Sequence, residues 1–245
     1  MPDERPPGRT APPGASGWAA PFITGEADVE LTPHRLEKRR LAAAVRRIVD
    51  AAISMDLSAD EVTSLADRLD AMASELSDRP AAAYEGFAEA ATSPWADGFF
   101  DRSPVLGEAN ALAPPIRLEF SPDRIVGRVV FGAAYEGPPS CVHGGWIAAA
   151  FDEVLGAAQS ISGAGGMTAY LKVDYRAPTP LHEELVFEGE LARREGRKIF
   201  TTGRVRHGDL VTAEAEALFI SIDFSRFAEM RRARGDEVEG TTGDA

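Results

Sequence analysis

Cys141-Val142-His143-Gly144-Gly145-Trp146-Ile147-Ala148-Ala149-Ala150-Phe151-Asp152-Glu153-Val154-Leu155-Gly156 opens near a glycine pair and runs almost wholly apolar until two adjacent carboxylates interrupt it. A helix that is apolar all round has no face suited to water and must be buried. A carboxylate inside it is costly unless it is paired, protonated or put to use. The stretch predicts a central buried helix with a glycine-lined N-terminus and an acid further down.

Strand signals surround it. Residues 116–120 and 124–131 flank Ser121-Pro122-Asp123, a turn composition. After the helix, Ala169, Leu171, Val173, Tyr175 and Ala177 alternate with Thr168, Tyr170, Lys172, Asp174 and Arg176. Leu185, Phe187, Gly189 and Leu191 repeat the alternation, as do Ile199, Thr201, Gly203 and Val205 after Glu195-Gly196. A last strand is expected from Leu210 to Asp223. Two strands, a buried helix and four strands predict an α+β fold, an antiparallel sheet wrapped around one central helix. Leu218, Ile220 and Ile222 on the other sheet face call for a second layer, either the N-terminal helices or another subunit.

Outside this body the chain changes character. Residues 1–33 hold seven of the seventeen prolines and read as a disordered segment, with Trp18, Phe22 and Ile23 as anchors. Residues 34–79 form a helical hairpin extension. Leu41, Val45, Ile48, Val49, Ala52 and Ile53 make its first stripe, and Val62, Leu65, Leu69, Met72 and Leu76 its second. Ser58 and Glu61 form a capping box between them, and the hairpin is expected to pack on its own domain. Residues 80–115, rich in Pro and Gly, read as an irregular docking segment carrying Trp95, Phe99 and Phe100. Residues 116–225 are the sheet-and-helix domain, and 226–245 a flexible charged tail.

A net charge of −13 excludes nucleic acid as the main partner. The single cysteine, Cys141, excludes an intrachain disulfide, and the start of the chain lacks the apolar core of a secretory signal. Apolar runs fall short of the ~20 residues of a membrane span. A cytoplasmic protein without membrane contact is expected. Histidines 34, 143, 182 and 207 have no metal-ligand spacing, so no metal is expected.

The first helical turn offers unpaired N–H groups and the positive dipole end, suited to a developing oxyanion, and the glycines let a carbonyl approach. Asp152, nine residues after His143, is the candidate base, with its pKa expected to rise on burial. Glu153, ~100° further round the helix, reads as structural. Cys141 and His143, on one loop, lack nucleophile–base geometry. His143 either contacts a ligand or braces the loop. Arg193, Arg194, Arg197, Lys198, Arg204 and Arg206 crowd one hairpin, offset by Glu195 alone.

His143-Gly144-Gly145, Asp152, Met167-Thr168-Ala169-Tyr170-Leu171, Tyr175-Arg176-Ala177-Pro178-Thr179-Pro180-Leu181 and Glu195-Gly196-Arg197-Lys198, in one register, resemble the hotdog-fold acyl-CoA thioesterases of the phenylacetate-degradation (PaaI) type, within the 4-hydroxybenzoyl-CoA thioesterase-like superfamily. The resemblance covers residues 116–223. It implies a hotdog fold and hydrolysis of acyl-CoA to a free acid and coenzyme A, with no cofactor, since coenzyme A is part of the substrate. It gives Gly144 the oxyanion, with Gly145 shaping the turn, and makes Asp152 the general base or the nucleophile. Thr168 orients the water. Asp174, Arg176 and the Gly196-Arg197-Lys198 turn bind coenzyme A. It also implies a homodimer or dimer of dimers, in which Asp152 acts on a thioester held by the other subunit's glycines. The competing readings are a non-catalytic acyl-CoA or acyl-carrier binding module and a hotdog enoyl-CoA hydratase or dehydratase. The latter pairs an acid with a histidine in one pocket, which His143, lying before the glycines, does not favour.

Overall fold

The computed structural model describes residues 32–78 and 99–221. The readings made for residues 1–31, 79–98 and 222–245, including Trp18, Phe22, Ile23, Trp95 and Ile222, lie outside the described residues. In chain order the helices and strands are α1 (Pro33–Ser54), α2 (Ala59–Ser77), α3 (Phe99–Arg102), β1 (Arg117–Phe120), β2 (Arg124–Val130), α4 (Gly144–Ala158), β3 (Gly166–Tyr175), β4 (Glu184–Glu195), β5 (Lys198–His207) and β6 (Leu210–Ser221). The strands form one antiparallel sheet in the order β1-β2-β4-β5-β6-β3, with α4 against its inner face. This is the predicted hotdog arrangement. It leaves β3 as an edge strand.

The core follows from α4. Ile147, Ala150, Phe151, Val154, Leu155, Ala157 and Ala158 are buried. They meet the inward residues of the strands, among them Ile125, Val129, Leu185, Phe187, Ile199, Val205 and Phe219. Phe151 and Phe187 pack edge to face with centroids 5.1 Å apart. Glycines make the close approach of the helix possible. A Cβ on Gly189 of β4 would stand 3.0 Å from Val154, and one on Gly203 of β5 would stand 2.9 Å from Leu155 and 2.4 Å from the Glu188 carbonyl. The glycines that look like weak strand formers in the sequence are a trough for the helix.

The N-terminal helices are present and differ in how they dock. Thr32 caps α1, and Ser58 and Glu61 form the expected capping box on α2. Arg35 and Arg39 of α1 bind the buried Asp101 carboxylate, and Arg46 donates to the carbonyls of Asn110 (2.7 Å) and Glu108 (3.2 Å). Asp50 accepts from the Ala134 N–H at 3.2 Å. Thus α1 is fastened by its polar side. The expectation of apolar packing fails for α2, which buries no residue and exposes Val62, Leu65, Leu69, Met72 and Leu76. Nor do these helices form the second layer over Leu218 and Ile220; α1 packs on the Ala133–Tyr135 turn.

Candidate functional site

His143 is the N-cap of α4, with its Nδ1 accepting from the Gly145 N–H at 3.0 Å. That bond needs an unprotonated Nδ1 and so leaves the ring proton on Nε2. Through it His143 braces the first turn of α4, while Nε2 has no partner among the described residues. The bond also withdraws Nδ1 from any partnership with the thiol of Cys141. Among the described residues the Gly144 N–H has no acceptor, so of the glycine pair Gly144 presents the free donor. Its position at the positive end of α4 favours a partial negative charge there.

Tyr175, at the far end of β3, reaches the same turn. Its hydroxyl donates to the Gly144 carbonyl at 2.7 Å. A Cβ on Gly144 would stand 3.1 Å from that hydroxyl, so any larger residue here would have to displace the Tyr175 side chain. Sequence reasoning placed Tyr175 in a motif but gave it no role; nothing local signals a bond to a residue 31 positions away.

Asp152 lies eight residues on from Gly144, half-buried. The Thr168 hydroxyl donates to Asp152 Oδ1 at 2.8 Å. Simple alternation put Thr168 on the face opposite Tyr175, and here the structure corrects the sequence. The β3–β6 register shifts between Thr168 and Tyr170, a bulge at Ala169. One extra residue reverses the parity, so both hydroxyls turn to α4.

Glu153 faces elsewhere. Ser103, itself buried, donates to Glu153 Oε1 at 3.2 Å while accepting from the N–H groups of Val105 and Leu106. Burial pushes the Glu153 carboxyl up to about 7, opposed by the Ser103 hydrogen bond and assisted by the neighbouring Asp152 charge. Glu153 therefore fastens the chain around residue 103 to α4, the structural role expected of it.

The candidate coenzyme A residues fall into two groups. Asp174 and Arg176 close β3 in a ladder with Lys172 and Glu214; Lys172–Asp174 is 3.1 Å and Arg176–Glu214 is 2.9 Å. Gly196, with φ +58°, makes the β4–β5 turn; Arg197 Nε donates to the Ser221 carbonyl at 3.1 Å, and Lys198 begins β5. Asp174 pairs with Glu214 of β6 and Lys198 with Ile220, six residues along the same strand, so the groups are ~20 Å apart. Within one chain they cannot hold the same phosphates. The basic hairpin is also less free than its sequence suggests. Glu188 takes Arg204 and Arg206, Arg193 pairs with Glu195 and stacks on Phe200, and Arg194 donates to the carbonyls of Ser162 and Gly196.

The candidate residues form two groups, one at the N-terminus of α4 and one beside its middle turns. His143, Gly144, Tyr175, Asp174 and Arg176 belong to one; Asp152, Thr168 and the Gly196–Lys198 turn to the other. At 1.5 Å per residue Gly144 and Asp152 are ~12 Å apart along the axis. One carbonyl cannot meet both within a chain. Among the described residues no cluster of His, Cys, Asp and Glu could hold a metal, and no helix is long and apolar enough to cross a membrane.

Comparison with known proteins places the chain in a family. The thioesterase superfamily model matches residues 140–217, a span containing both groups. Acyl-coenzyme A thioesterase THEM4 of Xenopus laevis is 41% identical over 93 residues, 37% of this chain and 42% of that protein. The Mus musculus THEM4 is 39% identical over 94 residues, 38% of this chain and 40% of that protein. The matched region thus spans about four-tenths of those relatives' length. A crystal structure of a thioesterase superfamily protein superposes with a TM-score of 0.65 at 37% identity, covering 75% of this chain and 94% of that one. With that likeness running through nearly the whole of the solved protein, and the matching segment carrying the glycine-opened helix and its edge strand, this chain belongs to the thioesterase superfamily.

Proposed function

We propose that the protein is an acyl-CoA thioesterase whose active site is shared between two subunits. The observation that carries the reading is the Thr168–Asp152 hydrogen bond of 2.8 Å, set on the same helix that opens with an unpaired Gly144 N–H. Thr168 uses its only proton on Oδ1, leaving its oxygen to accept from a water and leaving Oδ2 free to accept from the same water. A water so held presents a lone pair outward. Its oxygen attacks the thioester carbonyl carbon as Asp152 takes one proton. The oxygen of the tetrahedral intermediate gathers negative charge against the Gly144 N–H of the other subunit. The C–S bond then breaks, and the proton passes to sulfur, releasing free acid and coenzyme A.

The dimer supplies the missing half-site. An antiparallel pairing of two β3 edges about Leu171 sets Thr168 of one chain near Tyr175 of the other, because the two residues lie about equally far from that point. The same two-fold brings the Asp174–Arg176 end of one chain toward the Gly196–Lys198 turn of its partner, which would let both groups contact one nucleotide. Asp152→Asn, nearly equal in volume, tests the chemistry. Turnover of a panel of aliphatic and aromatic acyl-CoAs should fall by at least about a hundredfold, with coenzyme A affinity and melting temperature kept. Near-normal turnover in this variant would remove Asp152 from the mechanism. Binding without turnover of any acyl-CoA by the unaltered protein would leave the non-catalytic binding module instead.

A further inference from the structure

A groove of about 870 Å³ lies between α1 and the sheet domain, and it does not touch Asp152 or Thr168. Val49 and Ile53 of α1, Leu112, Val130, Tyr135 and Trp146 give it an apolar lining. Ile53 and Leu112 are each 58% exposed and Val130 54%, so three large aliphatic side chains face solvent in one concavity. A contiguous apolar surface of this kind marks a place where something binds.

Its position says what binds. Trp146 is two residues past Gly144, in the first turn of α4, and its ring packs edge to face on Tyr135 at 4.9 Å. The Tyr135 carbonyl accepts the His143 N–H at 2.9 Å. The groove therefore begins within one helical turn of the free Gly144 N–H. Part of its charged rim is engaged, while Arg47, His182 and the exposed Arg117 stand at the mouth. Arg46 holds two carbonyls, Arg128 pairs with Glu119 and Glu184, and Asp50 accepts the Ala134 N–H. The wall offered to a ligand below that mouth is mainly apolar. A small acyl group would leave most of this volume as water against apolar walls.

We infer that this groove is the subsite for the acyl chain of the thioester bound at the Gly144 end, and that it selects a long aliphatic chain. The inference rests on the acyl-CoA reading and gives α1 a part in it, as the wall that makes the site deep. Trp146 and Tyr135 take the first carbons and Val49, Ile53, Leu112 and Val130 the distal ones.

The test is calorimetric titration of the full chain with coenzyme A and with S-dodecyl-coenzyme A, a thioether that cannot be hydrolysed. The dodecyl group should tighten binding at least about thirtyfold, a modest share of what burying its methylenes could give. Ile53→Trp and Leu112→Trp fill the groove from two exposed positions, and each should cut that gain about tenfold. The kcat/KM ratio of dodecanoyl-CoA to butyryl-CoA should drop with it. Equal affinity for the two ligands, or a gain that neither substitution alters, overturns the proposal. So does a change in molecular mass on Ile53→Trp with the dodecyl gain intact, since the groove would then seat a second copy. General damage to the fold would weaken coenzyme A itself and leave the ratio unmoved. Dodecyl-dependent binding without turnover of any acyl-CoA would sink the hydrolase reading and leave the groove standing.

Discussion

Asp152 and Glu153 are the same chemistry one residue apart, and the helix gives them opposite fates. Asp152 meets an exposed edge strand and a hydroxyl donor. Glu153 turns inward to Ser103, and burial raises its pKa to about 7. The sign of the consequence for stability is fixed by that direction. The unfolded carboxyl releases its proton near 4.5, the folded one near 7, so between these values the folded chain holds more protons and stability falls as pH rises. Below that window the penalty is absent; above it the penalty is complete. Glu153→Gln keeps an acceptor for Ser103 and removes the charge. At pH 8 the variant should be more stable than the parent by about 1–3 kcal/mol, with the difference vanishing toward pH 4.5. Denaturant unfolding across that range reads it directly, and a constant offset at all pH values would exclude the buried charge as its cause. The sequence distinguished these two acids by spacing, helical angle and resemblance. It could not name Ser103, which arrives from 50 residues upstream.

At the scale of elements, what the sequence showed and what it hid have separate physical origins. The apolar run from Trp146 to Leu155 demands burial whatever surrounds it, so α4 and the sheet that must cover it were legible. Strand faces were legible only while the alternation held. A bulge at Ala169 leaves no compositional mark, so parity put Thr168 on the wrong face and its bond to Asp152 was not foreseen. The helices of the extension were legible as amphipathic, but their stripes did not say where they dock. Instead α1 is held by Arg35 and Arg39 on Asp101, a residue 5% exposed, through charge that reads in sequence as a solvated face. Removing one member of a buried ionic cluster leaves its partners uncompensated. Asp101→Asn should therefore cost about 3 kcal/mol and loosen α1 first. In hydrogen exchange the α1 amides should lose protection while those of α4 and β5 keep it. Uniform loss across the chain would mean that α1 is not a separable unit.

For the whole molecule, the decisive quantity is the distance along α4. Gly144 and Asp152 are ~12 Å apart on its axis, and Asp174 and Lys198 are ~20 Å apart along β6. Each function proposed for the chain is thus split between two places, and the proposed antiparallel pair of chains would rejoin both. Two inactive variants should then rescue one another. Asp152→Asn breaks the water-holding end; Gly144→Val breaks the N–H end, where even a Cβ stands 3.1 Å from the Tyr175 hydroxyl. In a mixed dimer one site carries both lesions and the other carries neither. Unfolding and refolding the two in equal amounts makes half the dimers mixed, so about a quarter of parental turnover should return, as two-fold symmetry requires. A site complete within one chain would give none, because every chain in the mixture is broken. The same experiment with Asp152→Asn and a second lesion at its own end, Thr168→Val, should also give none, since no pairing then yields an intact water-holding end. Recovery in the first mixture and not in the second would place the active site across the subunit boundary. Recovery in neither, with mixed dimers detected by mass, would return both half-sites to a single chain and require α4 to bring them together in a way its length forbids.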